Sequence, residues 1–205
     1  MRCFASFAAV LAGFALVAPA QQPLKPAKGR FLVAGKQVLD PNFSRTVVLL
    51  FDYSDKGAMG VIVNRRTQVK LAKLLPDVDG LAERSDVVYL GGPVETSGLR
   101  LLVRAETAPA EASAIVGDVF LTADPELIAS ASPARVRGYA GYAGWGAGQL
   151  DGEIERGDWH IFGGDAKVVF SQHPDSVWQT LVDRTKMQFA RLLPDENFAM
   201  RHAFR

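Results

Sequence analysis

The chain has 205 residues, 48% of them hydrophobic and 22% charged, and a formal net charge of +1. That composition excludes a disordered or fibrous chain and suits one packed core, while the near-neutral charge gives no electrostatic reason to expect a nucleic-acid partner. The single cysteine, Cys3, excludes a disulfide framework and a thiolate metal site.

Met1-Arg2, the uncharged apolar run from Phe4 to Val17 and the small-x-small site Ala18-Pro19-Ala20 have the layout of a secretory signal peptide. The apolar run is 14 residues, against the ~20 of a spanning helix. A signal over residues 1–20, cleaved after Ala20, is therefore expected. It implies an exported protein, periplasmic or secreted, with no stable membrane span after cleavage. A misassigned start is the alternative, and would leave a cytoplasmic protein. Cleavage removes Arg2 and Cys3, so the mature chain is formally neutral and without cysteine.

Residues 21–29, QQPLKPAKG, read as a linker. Phe31 to Ala34 is a short apolar strand, and Thr46 to Phe51 is a β-branched-rich run that suits a strand buried on both faces. A turn over Asp52 to Gly57 and a strand over Met59 to Val63 predict a hairpin. Val69 to Leu75 predicts a short helix ended by Pro76. Val87 to Leu90 is a strand running into Gly91-Gly92-Pro93, and Leu99 to Val103 and Val119 to Thr122 are further strands. Asp124-Pro125-Glu126 has the signature of a helix start. Arg135 to Tyr142 predicts a strand that feeds a glycine-rich stretch, and Trp159 to Phe162 predicts another. Pro174 to Leu193 predicts a helix with Val177, Trp178, Leu181, Val182 and Phe189 on one face, ended by Pro194. Strands and helices do not alternate, so the fold class is α+β, a single compact domain over residues 30–193 with a C-terminal tail over 194–205.

The glycine-rich stretch, 138-GYAGYAGWGAGQL-150, carries five glycines, at 138, 141, 144, 146 and 148. It fits no dinucleotide fingerprint: Gln149 or Asp151 stands where the third glycine belongs. Its context, a strand, a glycine loop, then a helix with Leu150 and Ile154 four apart, would leave amide N–H groups free for an anion. Tyr142, Gly144, Trp145, Gly146, Gly148 and Gln149 are therefore the candidate ligand-binding residues, for a small anionic or carbonyl-bearing ligand. The same residues suit a second reading, in which the glycines only let Tyr142 and Trp145 pack under a tight turn.

Elsewhere the signals are faint. His160 and His173 are too far apart in sequence for a zinc motif, and Asp52 to Gly57 echoes a calcium loop with Lys56 in a ligand position. No metal, cofactor or catalytic residue is assigned. Asp151, Glu153, Glu155 and Asp158 form a carboxylate cluster in which Asp151 and Glu155 share a helix face and Glu153 points elsewhere; a solvated helix face accounts for them. Arg65-Arg66 and the pair Arg135 and Arg137 are expected to flank strands and meet water. No Gly-x-Ser-x-Gly elbow is present.

Four blocks then carry a resemblance: Asp40-Pro41-Asn42-Phe43-Ser44-Arg45-Thr46-Val47, Gly57-Ala58-Met59-Gly60-Val61-Ile62-Val63-Asn64, Gly91-Gly92-Pro93-Val94, and the run from Gly138 to Leu150. With the stretch from Trp159 through Trp178, they make the chain, over about residues 30–183, resemble the YqgE/AlgH family of small bacterial proteins. The resemblance implies a strongly curved, mainly antiparallel sheet flanked by helices, a biochemical function not established, and no accepted catalytic residues. Some members are labelled transcriptional regulators, and one branch is linked to control of exopolysaccharide production. The chain departs from the pattern at Gly35-Lys36, where members often have a proline. It departs again at Tyr53, where many have a histidine, and at Arg65-Arg66-Thr67, which lacks a proline. The export signal is a larger departure, and an exported member could not act directly on DNA. The expectation is thus a non-enzymatic regulatory domain that binds a small anionic ligand or a protein partner. The alternative is a hydrolase-type enzyme whose site is not visible as a motif.

Overall fold

The computed structural model describes residues 24–131 and 135–192. The expected signal peptide, the first residues of the linker, Pro194 and the tail lie outside the described residues, as does the side chain of Phe189.

The apolar runs form the strands expected of them. β1 spans Phe31–Ala34, β2 Val47–Ser54 and β3 Gly57–Ile62. β2 runs past the predicted turn: Asp52 to Ser54 pair with β3, and only Asp55-Lys56 make the loop, with a register shift between Leu50 and Asp52. Val47 to Leu50 are fully buried, as a strand covered on both faces requires. β4, Arg66–Lys70, precedes α1, Leu71–Leu74. Mostly polar and exposed, β4 left no periodic signal in the sequence. β5 is Val87–Leu90 and β6 is Val94–Arg104, longer than its apolar portion. β7, Ser113–Val116, and β8, Val119–Thr122, make a hairpin; then α2, Glu126–Ala131, starts where Asp124 Oδ1 accepts the Glu126 N–H at 2.9 Å. β9 is Arg135–Gly146, α3 Gln149–Glu155, β10 Trp159–Phe162, α4 Ala166–Val169 and α5 Pro174–Leu192.

The strands form one curled sheet in the order β10-β1-β2-β3-β9-β6-β8-β7, with β4 on β5 and β5 on β9. Every pairing is antiparallel except that of β5 with β9. β9 is the hinge of this arrangement. One of its edges pairs with β6, while the other takes β5 beside residues 138–140 and then β3 beside residues 143–146. At that exchange the backbones of Gly92 and Gly141 cross. A Cβ on Gly92 would sit 2.1 Å from the Tyr142 carbonyl carbon, and one on Gly141, at φ 72°, would sit 2.5 Å from the Gly92 oxygen. Only glycine fits on either side.

One face of the sheet packs Phe31, Val33, Leu49, Val61 and Tyr139 against α5 through Val177, Trp178, Leu181 and Val182. The other packs Leu32, Leu50, Trp145 and Trp159 under Leu150 of α3. A third cluster, around Leu71, Leu101, Val103 and Ile128, fills the far end.

Candidate functional site

The glycine-rich stretch is strand rather than loop as far as Gly146. Its residues already have backbone partners on β3 and β6, so the turn shrinks to Ala147-Gly148. Alternation along the strand divides the candidate residues. Tyr142 packs on the α5 face beside Phe51, with the Arg100 guanidinium 4.1 Å from its ring centroid. Gly144 shares that face, since a Cβ on it would lie 3.2 Å from the Tyr142 ring. Trp145 points the opposite way and is only 6% exposed. Gly148, at φ 69°, is the N-cap of α3 and faces open space. Gln149 is exposed, yet its Oε1 accepts the Gly146 N–H at 3.1 Å and its Nε2 donates to Glu153 Oε1 at 3.0 Å.

Glu153 is the centre that sequence reasoning missed. It is half-buried rather than on a fully solvated face. Its Oε2 accepts from both indoles, Trp145 Nε1 and Trp159 Nε1, each at 2.8 Å. The two rings meet edge to face with centroids 5.8 Å apart, and Phe43 packs on both, at 6.1 and 5.8 Å. A buried indole N–H needs an acceptor, and two such donors flanking one glutamate was the signal available. Asp151, on the same helix, accepts from the Tyr53 hydroxyl at 2.7 Å. That bond, with burial and the carboxylate charge, pushes the Tyr53 phenol above its ordinary range. Tyr53 thus clips α3 to the first hairpin. Of the other carboxylates, Asp158 pairs with Arg156 at 2.9 Å and Glu155 is exposed.

Two arginines also depart from expectation. Arg137 is 9% exposed; it donates to the carbonyls of Val169 and Ser171, closing the end of α4, and stacks 4.5 Å from the Tyr89 ring centroid. Arg65 donates to the Pro41 carbonyl at 2.6 Å and the Ser44 carbonyl at 3.4 Å. Burial lowers its pKa, and the charge of Asp40 opposes that shift.

These bonds shape a second region, the loop of residues 35–46. Buried Asn64 accepts the Val47 N–H at 2.8 Å and donates to the Arg45 carbonyl at 2.9 Å. Thr46 Oγ1 donates to the Phe43 carbonyl at 2.7 Å. Arg45 is held at φ 56°, a left-handed conformation that costs a non-glycine residue roughly 1–2 kcal/mol. Strain of this kind persists where neighbours over-determine it. Between this loop and α5 lies a cleft of ≈ 360 Å³, lined in part by Lys36, Val38, Leu39, Arg45, Trp178 and Gln179. The Trp178 indole donates to the Ala34 carbonyl at 2.7 Å, which fixes the ring, and the Arg45 guanidinium stands 5.6 Å from the ring centroid. Leu39, at the mouth, is 84% exposed.

No group of three or more His, Cys, Asp or Glu side chains able to hold a metal occurs among the described residues, and no helix among them is long and apolar enough to cross a membrane.

A curled antiparallel sheet with β9 as its shared strand, and α3 clasped onto it, defines a recognisable class. The AlgH-like family model matches residues 31–190, and the chain belongs to that family. A UPF0301 protein of Streptomyces coelicolor is 38% identical over 179 residues, covering 82% of this chain and 92% of its own. A UPF0301 protein of Mycobacterium tuberculosis is 33% identical over 184 residues, covering 86% and 90%. Among solved structures, the crystal structure of a Corynebacterium diphtheriae protein is similar with a TM-score of 0.68 at 25% identity, over 80% of this chain and 90% of that one. The solution structure of the AlgH protein from Pseudomonas aeruginosa has a TM-score of 0.60 at 26% identity, over 90% and 99%. The family's biochemical function is uncharacterised, and nothing in these comparisons indicates a hydrolase.

Proposed function

We propose that this is a non-catalytic binding domain of a regulatory kind, with its recognition surface at the cleft between residues 35–45 and α5. The observation that carries the reading is Arg45. Asn64 holds its carbonyl in a strained backbone conformation while its side chain stands over Trp178 beside the cavity. A cost to stability is retained there, and the atoms it positions face outward. A photo-reactive residue at Leu39, used in the native host, tests this. An adduct, small molecule or protein, should form there, be absent from the same probe at Leu74 on α1, and disappear with Arg45→Gln. Equal labelling at both positions would remove the cleft from consideration.

The exposed run Gly144, Gly146, Gly148 and Gln149, with Tyr142 on one side of β9 and Trp145 on the other, is a second surface for a small anionic ligand on the same domain. The open space at the Gly148 cap favours it. A ligand there would have to replace Gln149 on the Gly146 N–H. The leader-like start supports export, and intact-mass measurement of protein recovered from outside the cytoplasm should show a chain beginning at Gln21. Full-length protein confined to the cytosol would overturn export.

A further inference from the structure

We infer that β10 is an interface, and that its occupant is a second copy of this chain, paired antiparallel across a two-fold axis at His160. Three strands have a single neighbour among the described residues: β4, β7 and β10. An unpaired strand edge is a template for another strand, and proteins blunt such edges with charge, bulges or cover. β4 is blunted by the exposed cations Arg66 and Lys70 and by a register shift between them. β7 is covered: a Cβ on Gly29 would stand 2.4 Å from the Ile115 carbonyl oxygen, and Lys28 Nζ donates to Ser113 Oγ at 2.8 Å. β10 has neither device. Its residues, Trp-His-Ile-Phe, include no carboxylate, lysine, arginine or proline, and its pairing with β1 runs without a register shift. His160, Ile161 and Phe162 are each partly exposed.

The bonds to β1 fix which groups face outward. The Gly35 N–H donates to the Asp158 carbonyl at 2.8 Å, and Val33 stands opposite His160. By the alternation of an antiparallel ladder, His160 turns its N–H and C=O to β1, while Trp159 and Ile161 turn theirs away. None of these outward groups is bonded to another described residue. Their spacing fits a copy of themselves. With His160 opposite His160 of the second copy, Trp159 meets Ile161 twice, and every outward N–H finds an outward C=O. The side chains agree, since Trp159 and Ile161 both lie on the α3 face, so apolar meets apolar and no like charges oppose. A register centred on Ile161 would set Trp159 against a glycine instead. The ends are complementary in charge. Arg30 reaches over Gly163, where a Cβ would lie 3.6 Å from its Nη1, and the two-fold sets Gly163 against Gly157 of the second copy, just past the end of α3. Asp158 there is already paired with Arg156, which leaves exposed Glu155 to face Arg30. A foreign strand would not call for this two-fold agreement.

The chain beginning at Gln21 should sediment as a dimer that dissociates on dilution, and the Trp159 and Ile161 amides should gain protection from hydrogen exchange as the dimer forms. Ile161→Pro removes an N–H that makes no bond within its own copy, at a position where an edge strand tolerates proline. It should weaken association about tenfold, for one hydrogen bond lost from each copy. His160→Cys gives a second test that does not depend on that variant folding. Directly opposite residues of a non-hydrogen-bonded pair have Cα atoms about 4.5 Å apart, within disulfide range, and the chain from Gln21 has no other cysteine. Under mild oxidation this variant should link to itself, whereas Ser113→Cys, on the covered edge of β7, should not. A chain that stays monomeric at every concentration with both amides exchanging freely would overturn the inference, as would a dimer in which His160→Cys links no faster than Ser113→Cys. Protection of the two amides only after host extract is added would give the edge to a foreign strand, and would overturn it equally.

Discussion

Phe43 joins two regions built in opposite ways. Toward β9 and β10 it packs on Trp145 and Trp159, where Glu153 matches every donor: two indoles and the Gln149 amide. Two residues along the same loop, Arg45 has its backbone fixed in a strained conformation and its guanidinium turned toward a cleft. In the first region the polar atoms are used up on one another, and the product is rigidity. In the second, rigidity comes from Asn64 and Arg65 behind the loop, and the charges are left facing out. A dense aromatic and glycine pattern thus marks the part of the domain that holds its shape. The part suited to recognition has a far plainer sequence.

The largest expected effect breaks this division at Trp178, which serves both core and cleft. Trp178→Ala should cost about 3–5 kcal/mol through the cavity it leaves, and it also removes the partner of the Ala34 carbonyl. A urea melt with an unchanged midpoint would mean that α5 does not depend on this anchor. Next comes the clasp. Glu153→Ala orphans two part-buried indole donors, each expected to cost about 1–3 kcal/mol, whereas Glu153→Gln keeps an acceptor and should recover most of the loss. Equal melts for the two variants would show that the carboxylate is idle. Gln149→Ala is smaller, up to about 1 kcal/mol for exposed bonds to Gly146 and Glu153. An unaltered melting temperature, combined with loss of stabilisation by added anions, would instead assign Gln149 to a ligand.

The mildest effect is in pH. His160, half-buried on β10, has its pKa lowered by desolvation from the ordinary 6.5. The unfolded chain then takes up the proton first, so stability present above 6.5 is lost as pH falls through the folded value. His160→Gln should flatten the slope as pH falls below about 6.5. An identical slope in the variant would place the acid sensitivity elsewhere.

The strands with strong apolar runs were legible from the sequence because burial on two faces leaves a continuous signature: Phe31 to Ala34, Val47 to Leu50, and Val119 to Thr122 all stand where the pattern put them. β4 was not, being polar and exposed, and neither was β7, whose short run Ala114-Ile115-Val116 is too brief to stand out although Ile115 is buried in the core. In the glycine-rich stretch the pattern predicts strand only as far as Tyr142 and a loop beyond it, whereas β9 runs on to Gly146. Its glycines answer to backbones brought near by distant chain, Gly92 against Gly141, and that crossing has no local signal. The cleft was invisible for a related reason. Arg45 looks ordinary in sequence, and only Asn64, a polar residue buried at the end of β3, makes its conformation possible.

The shared strand β9 has a kinetic consequence. β3, β5 and β6 all wait for residues 135–146 before they gain their common neighbour, and Phe31 pairs with Phe162. The strands before β9 can pair locally as they emerge, β1 with β2, β2 with β3, β4 with β5 and β8 with β6 and β7, but these pieces cannot join into one sheet until β9 is made. Non-local topologies of this sort close late and slowly, so a chain truncated before β9 should remain protease-sensitive throughout, and the domain should acquire protection in one delayed step once β10 is free to pair. Until then its apolar strands are open to chaperones and to one another.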